Sequence, residues 1–388
     1  MRLGIISDCI HVRDNTGRIG STNHVYVMQM NALASHFSNT VFCTPVIDAG
    51  PDTPPLSYYT QTGISFQPLP KAGGKTWRDK WHLLTMIPRW FNAFSILSKQ
   101  VDIIYQRFPN NLNLPGFFYI YFKGIPAFAT YTGTWLGYKG ESITYRLQRW
   151  LLKKVYPGPV FVYDFAVKHP RIFPTISPSY ARIDWEQETE MVKEKILRIK
   201  QRGEKDPLYL VSVGALTPYK NHILLLKACV QLKKAGQPFV LFIAGQGKLH
   251  DTLLTFIHNE GLQDQVKLLG VIPQEALRTY YRNADFVIQP SIIEGYGKVP
   301  VEAMFHGAVP LLSSVSIHPY FVGKNNERGA LFELQSHEQL VESIHKFTSN
   351  LGAWENALMA ARTFSKEFTT EAWTNSIITV LKEKGIYT

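Results

Sequence analysis

Two glutamates, Glu294 and Glu302, stand eight positions apart with Gly295, Tyr296, Gly297, Lys298, Val299 and Pro300 among the residues between them. An apolar run, ADFVIQP from Ala284, leads into the first of them. Strand, glycine-rich turn and helix is the layout that turns unpaired backbone N–H groups toward a phosphate. Pro300 suits the first helical position, where its missing N–H would have had no partner. Val299 before it has no side-chain oxygen to cap the helix, which leaves the first-turn donors to an anionic ligand. Glu302 would then be the third helical residue, where a carboxylate also favours the helix dipole with no other role. Glu294 follows a strand and precedes glycines, where no helix needs it. Lys220 opens a helical stretch just after the apolar run LYLVSVG. It is placed either to neutralise a phosphate or to sit as a surface lysine before an amphipathic helix.

These residues need strands to hold them. Apolar, β-branched or aromatic runs predict strands at 3–8, 40–46, 64–70, 101–107, 126–132 and 160–163, then at 208–214, 239–245, 266–271, 284–290 and 309–314. Helical or turn sequence follows each, and residues 23–37 carry apolar side chains at helical spacing. Alternation of this kind predicts an α/β fold with two Rossmann-like domains facing a cleft and ligands at the carboxyl ends of the strands. Residues 1–185 form the first expected domain, 186–206 a charged, solvated linker helix braced by pairs such as Glu190–Glu194–Arg198, and 207–369 the second domain. A closing helix over 370–388 is expected to cross back to the first. A chain of 388 residues with 18% charge and 45% hydrophobic content suits two globular domains. Cys9, Cys43 and Cys229 are too few and too scattered for a disulfide framework or a cysteine zinc site, which predicts reduced thiols in the cytoplasm. The start, MRLGIISDC, reads as a strand and not a signal peptide, and no stretch is long and apolar enough to span a membrane.

The segment EGYGKVPVE resembles the E-x7-E signature of retaining GT-B glycosyltransferases of the family-4 type. The resemblance implies that Glu294 lies by the transferred sugar, that Glu302 holds the nucleotide ribose, and that the intervening residues line a donor site. LVSVGALTPYKNHILLLKA is similar to the family's strand–loop–helix segment and makes Lys220 the cation on the diphosphate leaving group. Glu294 and Lys220 are thus the expected catalytic residues. Val271 follows the segment whose backbone would read the base, and RIGSTNHV resembles the family's Gly-Gly loop, with Gly20 facing the phosphates and Ile19 in place of one glycine. There are departures. Ala215 stands where the family carries an arginine, a loss of roughly 1.5–3 kcal/mol of charge-assisted bonding for which Lys298 or Arg18 are the available substitutes. Thr132 stands where the family has a histidine, and Trp135 nearby could stack on a sugar or simply pack. With no D-x-D triplet, the resemblance implies a metal-independent, retaining transfer with no cofactor, from a nucleoside diphosphate sugar of the UDP or GDP type.

Charge is uneven. Residues 1–185 hold 19 Lys+Arg against 9 Asp+Glu, and the remainder 22 against 21. Six of eight tryptophans also lie in the first part. Two basic, aromatic helices, one with Trp81, Arg89 and Trp90 and one with Arg146, Arg149 and Lys153, suit an anionic membrane surface, or else pack their aromatics on the sheet. Pro88 predicts a kink or two shorter helices in the first. A glycan or lipid-linked acceptor and a location in the cytoplasm or on the inner face of the cell membrane follow. No helix-turn-helix, zinc or RNP-like signature accompanies the charge, so a nucleic-acid partner is not expected. The remaining alternatives are an epimerase or phosphorylase on the same fold, or a catalytically weak nucleotide-sugar-binding scaffold.

Overall fold

Each predicted apolar run is a strand, and the strands assemble into two sheets, the first mainly and the second wholly parallel, in separate compact units: Met1–Pro178 with Thr370–Thr388, and Ser179–Thr369. The computed structural model describes residues 1–70, 77–137 and 141–387, the side chains of 77–84 excepted.

In the first unit the strands are β1 (Arg2–Ile6), β2 (His11–Arg13), β3 (Ile19–Ser21), β4 (Asn39–Asp48), β5 (Ser57–Tyr58), β6 (Ile64–Leu69), β7 (Ile103–Phe108), β8 (Ala127–Tyr131), β9 (Val160–Val162) and β10 (Ile172–Pro174). The parallel part runs β10-β9-β8-β7-β1-β4, with β6 along the outer side of β4. Residues 9–23, read from sequence as a loop, contain the β2–β3 hairpin, and β5 pairs with β3. Three-residue strands are too short to show an alternating pattern. Buried Leu3, Ile5, Tyr26, Met30, Leu33 and Phe42 form one face of the core, and the closing helix Thr370–Glu383 adds Trp373, Ile377 and Leu381 to it. The other face takes Trp90, Phe94 and Leu97 from the helix Trp77–Gln100. That helix is continuous through Pro88, not split in two. Burial of its apolar stripe outweighs the one lost hydrogen bond, since each fully buried large side chain contributes about 1.5–3 kcal/mol.

In the second unit the strands are β11 (Leu208–Val213), β12 (Phe239–Ala244), β13 (Val266–Gly270), β14 (Phe286–Gln289), β15 (Val309–Ser313) and β16 (Ala330–Phe332), in the order β13-β12-β11-β14-β15-β16. The chain builds outward from β11 to one edge, then returns to lay β14 against its other side. This is the doubly wound order, and its reversal lies between β11 and β14.

The unit boundary falls at 178/179, not near Pro207, and the segment expected to be a solvated linker belongs to the second unit. Its helix Thr189–Lys200 buries Val192, Lys195 and Ile199. Lys195 Nζ donates to the carbonyls of Tyr281 (3.1 Å), Ala284 (2.8 Å) and His306 (2.7 Å). The expected Glu190–Glu194–Arg198 ladder is not formed: Glu190 pairs with Lys193 at 2.7 Å, and Arg198 reaches the Asn283 carbonyl (2.9 Å) and Asp285 (3.5 Å). Local charge pattern had no access to these partners, which lie more than eighty residues away in sequence.

Candidate functional site

At the carboxyl ends of β11 and β14, the two strands flanking the reversal, Gln289 Nε2 donates to the Val213 carbonyl at 3.0 Å and ties the strand ends together. The chain leaves β11 through Gly214 into a short 3-10 turn, Pro218–Lys220. A Cβ on Gly214 would lie 3.2 Å from Lys220 Cε, so the glycine makes room for the lysine side chain to fold back over the strand end. From β14 the chain passes through buried Ser291 to Glu294. Lys220 Nζ and Glu294 Oε1 form an ion pair, with the two side chains 22% and 10% exposed. The Ser291 hydroxyl donates to the same carboxylate oxygen at 3.0 Å. The support continues inward: Ser313, at the end of β15, donates its hydroxyl to the Ser291 carbonyl at 2.6 Å, and buried His318 donates Nδ1–H to the Ser313 carbonyl at 2.9 Å. Burial lowers the His318 pKa, so the imidazole is neutral.

The helix after this turn is Lys298–Phe305, begun by Gly297 in the left-handed region (φ 67°) with no side-chain cap. Pro300 is therefore its third residue and not its first, and Glu302 is the fifth. The missing proline N–H still costs nothing, because the first four N–H groups of a helix have no partner within it. Glu302 accepts a hydrogen bond on Oε1 from the Ser179 hydroxyl and on Oε2 from the Tyr281 hydroxyl at 3.2 Å. Burial, together with the Glu302 charge, raises the Tyr281 pKa and keeps the phenol protonated as a donor.

The second unit also carries Val271, exposed just past β13, where the Gly270 carbonyl accepts from the Gly245 N–H at 2.7 Å. Gly295 is exposed, Lys298 and Val299 are partly buried in the first helical turn, and the Tyr296 ring meets Phe321 edge-on. Ala215 is exposed beside Gly214. Ser179, Tyr281, Ser291, Ser313 and His318 were not singled out from sequence. Only Ser291 had a usable signal, its place three residues before Glu294 on the strand exit.

In the first unit, the close approach that Gly20 permits is that of the Ser57 carbonyl oxygen on the neighbouring strand, 2.6 Å from where a Cβ would be. Arg18 lies 4.1 Å over the Tyr58 ring. Thr132 donates its hydroxyl to the Phe108 carbonyl at 3.0 Å, and Trp135 packs edge-on against Tyr131. Of the expected membrane-facing residues, Trp90 is buried in the core and is not available to a membrane. Arg149 is not available either, since both of its terminal nitrogens are engaged by the buried Glu141 carboxylate. Arg89 is exposed, and the Trp81 side chain lies outside the described residues. The second helix, Ile143–Lys154, presents Ile143, Arg146, Leu147, Trp150 and Lys153 outward, along a groove of about 770 Å³ that Trp135 and Leu136 complete.

The fold is that of the GT-B glycosyltransferases. Sucrose-phosphate synthase from Thermosynechococcus elongatus matches over 99% of each chain with a TM-score of 0.66 at 18% identity. Anabaena Alr3699/HepE, solved in complex with UDP-glucose, matches over 99% of this chain and 100% of its own with a TM-score of 0.67 at 12% identity. Residues 193–361, which lie within the second unit, match the family model of the glycosyl transferases group 1. The amylovoran biosynthesis glycosyltransferase AmsK of Erwinia amylovora is 38% identical over 114 residues, which are 28% of each chain. Matches to the first three curated relatives span between 28% and 37% of those proteins' lengths.

Proposed function

We propose that this protein is a retaining glycosyltransferase that moves a sugar from a nucleoside diphosphate donor to a glycan or lipid-linked acceptor in the assembly of a cell-surface polysaccharide or glycolipid. One observation carries the reading: Lys220 and Glu294, from loops after neighbouring strands, meet at the reversal of the second sheet, where doubly wound folds bind ligands. Lys220 neutralises the departing diphosphate, helped by the start of the Lys298–Phe305 helix, and Glu294 orients the sugar hydroxyls or stabilises positive charge at the reacting carbon. Glu302 takes the ribose. The sequence offers no acidic triplet for a divalent ion, and the reading assigns the charge stabilisation to the protein, with no cofactor beyond the donor. The name of the amylovoran relative supports a polysaccharide acceptor, and UDP-glucose in the Anabaena structure supports a nucleotide-sugar donor. The outward apolar and basic stripe of the Ile143–Lys154 helix supports a peripheral position on an anionic membrane. No described helix is long and apolar enough to cross one.

A thermal-shift screen of UDP, GDP, ADP and their sugars tests the donor site. Binding at one hundred times Kd stabilises by about 2.7 kcal/mol. One nucleotide class is expected to raise Tm in the wild type and to lose that effect in Lys220→Ala and Glu302→Ala. Equal shifts in all three proteins would remove the assignment. Exposed Ala215, in the family's arginine position, favours a second reading as a weak or inactive nucleotide-sugar binder. Donor binding without transfer to any acceptor, water or phosphate would establish it.

A further inference from the structure

Glu302 is held at both ends. Its Oε1 accepts from Ser179 and its Oε2 from Tyr281, and each carboxylate oxygen keeps one further lone-pair position. The phenol that holds it cannot swing away. Tyr281 is fully buried, its ring stacks on His306 at 6.1 Å and 17°, and its own carbonyl is fixed by Lys195 Nζ at 3.1 Å. His306 is itself tied to Glu188 at 3.0 Å, and Glu188 to Arg282. A flexible glutamate on the first turns of a helix is thereby given one orientation, with an acceptor position left on each oxygen.

We infer that Tyr281 and Ser179 are positioning residues that aim the two remaining lone pairs of Glu302 at the vicinal hydroxyls of a ribose, and so make the site select ribonucleotides over 2′-deoxyribonucleotides. The inference rests on the donor-site reading above. A vicinal diol needs both oxygens at once, so a carboxylate free to rotate would meet one hydroxyl as easily as two and discriminate little. A carboxylate already half-satisfied and fixed loses an acceptor contact outright when the 2′-hydroxyl is absent.

Dissociation constants are measured by calorimetry for UDP, GDP and ADP and for their 2′-deoxy forms, on the wild type, Glu302→Ala, Tyr281→Phe, Ser179→Ala and Ser179→Thr, with the Tm of each free protein. For the nucleotide that binds, the wild type is expected to prefer the ribo form by about tenfold or more, because a site built around a hydroxyl rejects its absence. Glu302→Ala removes the preference. Tyr281→Phe and Ser179→Ala are expected to narrow it by about threefold or more each, and Ser179→Thr, which keeps the hydroxyl, to restore it. If Tyr281→Phe and Ser179→Ala lower Tm but keep the wild-type ratio, the two groups merely support the fold, and this inference fails while the donor site stands. If Glu302→Ala keeps the ratio, or the wild type shows none, the ribose role of Glu302 fails and this inference with it.

Discussion

The Lys220 side chain reaches Glu294 by folding over residue 214, which has no side chain to crowd it. A methyl group there would meet Lys220 Cε at 3.2 Å and Cδ at 3.3 Å, both parts of a flexible chain that can give way. Gly214→Ala is therefore expected to fold, with Tm within a few degrees of wild type, but to displace the ammonium from the strand end. Transfer from the donor should fall by about tenfold in kcat/KM, a change of about 1.4 kcal/mol in transition-state stabilisation. Lys220→Ala, which removes the cation altogether, is expected to cost about 10²–10³ in kcat, the scale of losing one preorganised electrostatic group. A steady-state assay of nucleotide release reads both, and equal losses in the two variants would show that Gly214 does more than clear the lysine's path. At this scale the site was half legible. Glu294 and Lys220 follow strand exits by five and seven residues and Glu302 lies in the helix just after, so local pattern finds them. Ser179 reaches Glu302 across 123 positions, and nothing in the neighbourhood of either residue records that meeting.

The charged helix Thr189–Lys200 shows what an element can hide. Its sequence reads as solvated, yet Lys195 is buried, and in Lys195→Met three interior carbonyls lose their donor. At about 1–3 kcal/mol for each polar group left without a partner, the loss should be about 3 kcal/mol or more, less any gain from packing the thioether. Urea denaturation followed by far-UV circular dichroism measures it, and a midpoint unchanged from wild type would contradict the packing described. The residue just before this helix, Glu188, makes a pH-dependent contribution. Burial alone would raise the Glu188 pKa, but hydrogen bonds from His306 and Arg282 overcome it and hold the group at about 2, against an ordinary 4.5. The folded protein therefore binds this proton less readily than the unfolded chain. The stabilisation is complete above pH 4.5 and disappears as the pH falls through about 2. Between those values the Tm advantage of wild type over Glu188→Gln is expected to shrink steadily. A constant difference would mean that Glu188 does not titrate as placed. The strands that were predicted, by contrast, fall within a residue or two of their observed bounds, while β2, β3, β5, β10 and β16, of two or three residues each, left no readable run. A strand buried on both faces must be a continuous apolar run, whereas a helix that exchanges its charges for interior partners keeps the composition of a surface.

On the scale of the molecule, nearly all of the +11 net charge arises before residue 186, and two helices of the first unit carry much of it in similar basic, aromatic sequences. Packing separates them. Trp90, Phe94 and Leu97 of one are core, while the other turns Ile143 (81% exposed) and Trp150 (55% exposed) outward beside Arg146 and Lys153. Burial of Gln148, Leu151 and Leu152 anchors this helix from its opposite side, so the outward stripe is surplus to the fold. Apolar side chains flanked by cations suit the boundary of an anionic bilayer, where each cation adds about 1 kcal/mol and salt weakens the attraction. Trp150→Ala and the double variant Arg146→Glu/Lys153→Glu are thus expected to keep the wild-type Tm. In sedimentation with phosphatidylserine-containing vesicles, the charge reversal should reduce binding by more than tenfold at low ionic strength, since the lost attraction exceeds about 1.4 kcal/mol. Trp150→Ala should weaken binding to a similar vesicle at high salt as well, because its contribution is apolar and unscreened. Trp90→Ala separates the two helices: it opens a cavity in the core and should lower Tm without a specific effect on vesicle partition. Vesicle binding that survives both changes on the Ile143–Lys154 helix would place the membrane contact, or the meaning of the charge, elsewhere on the first unit.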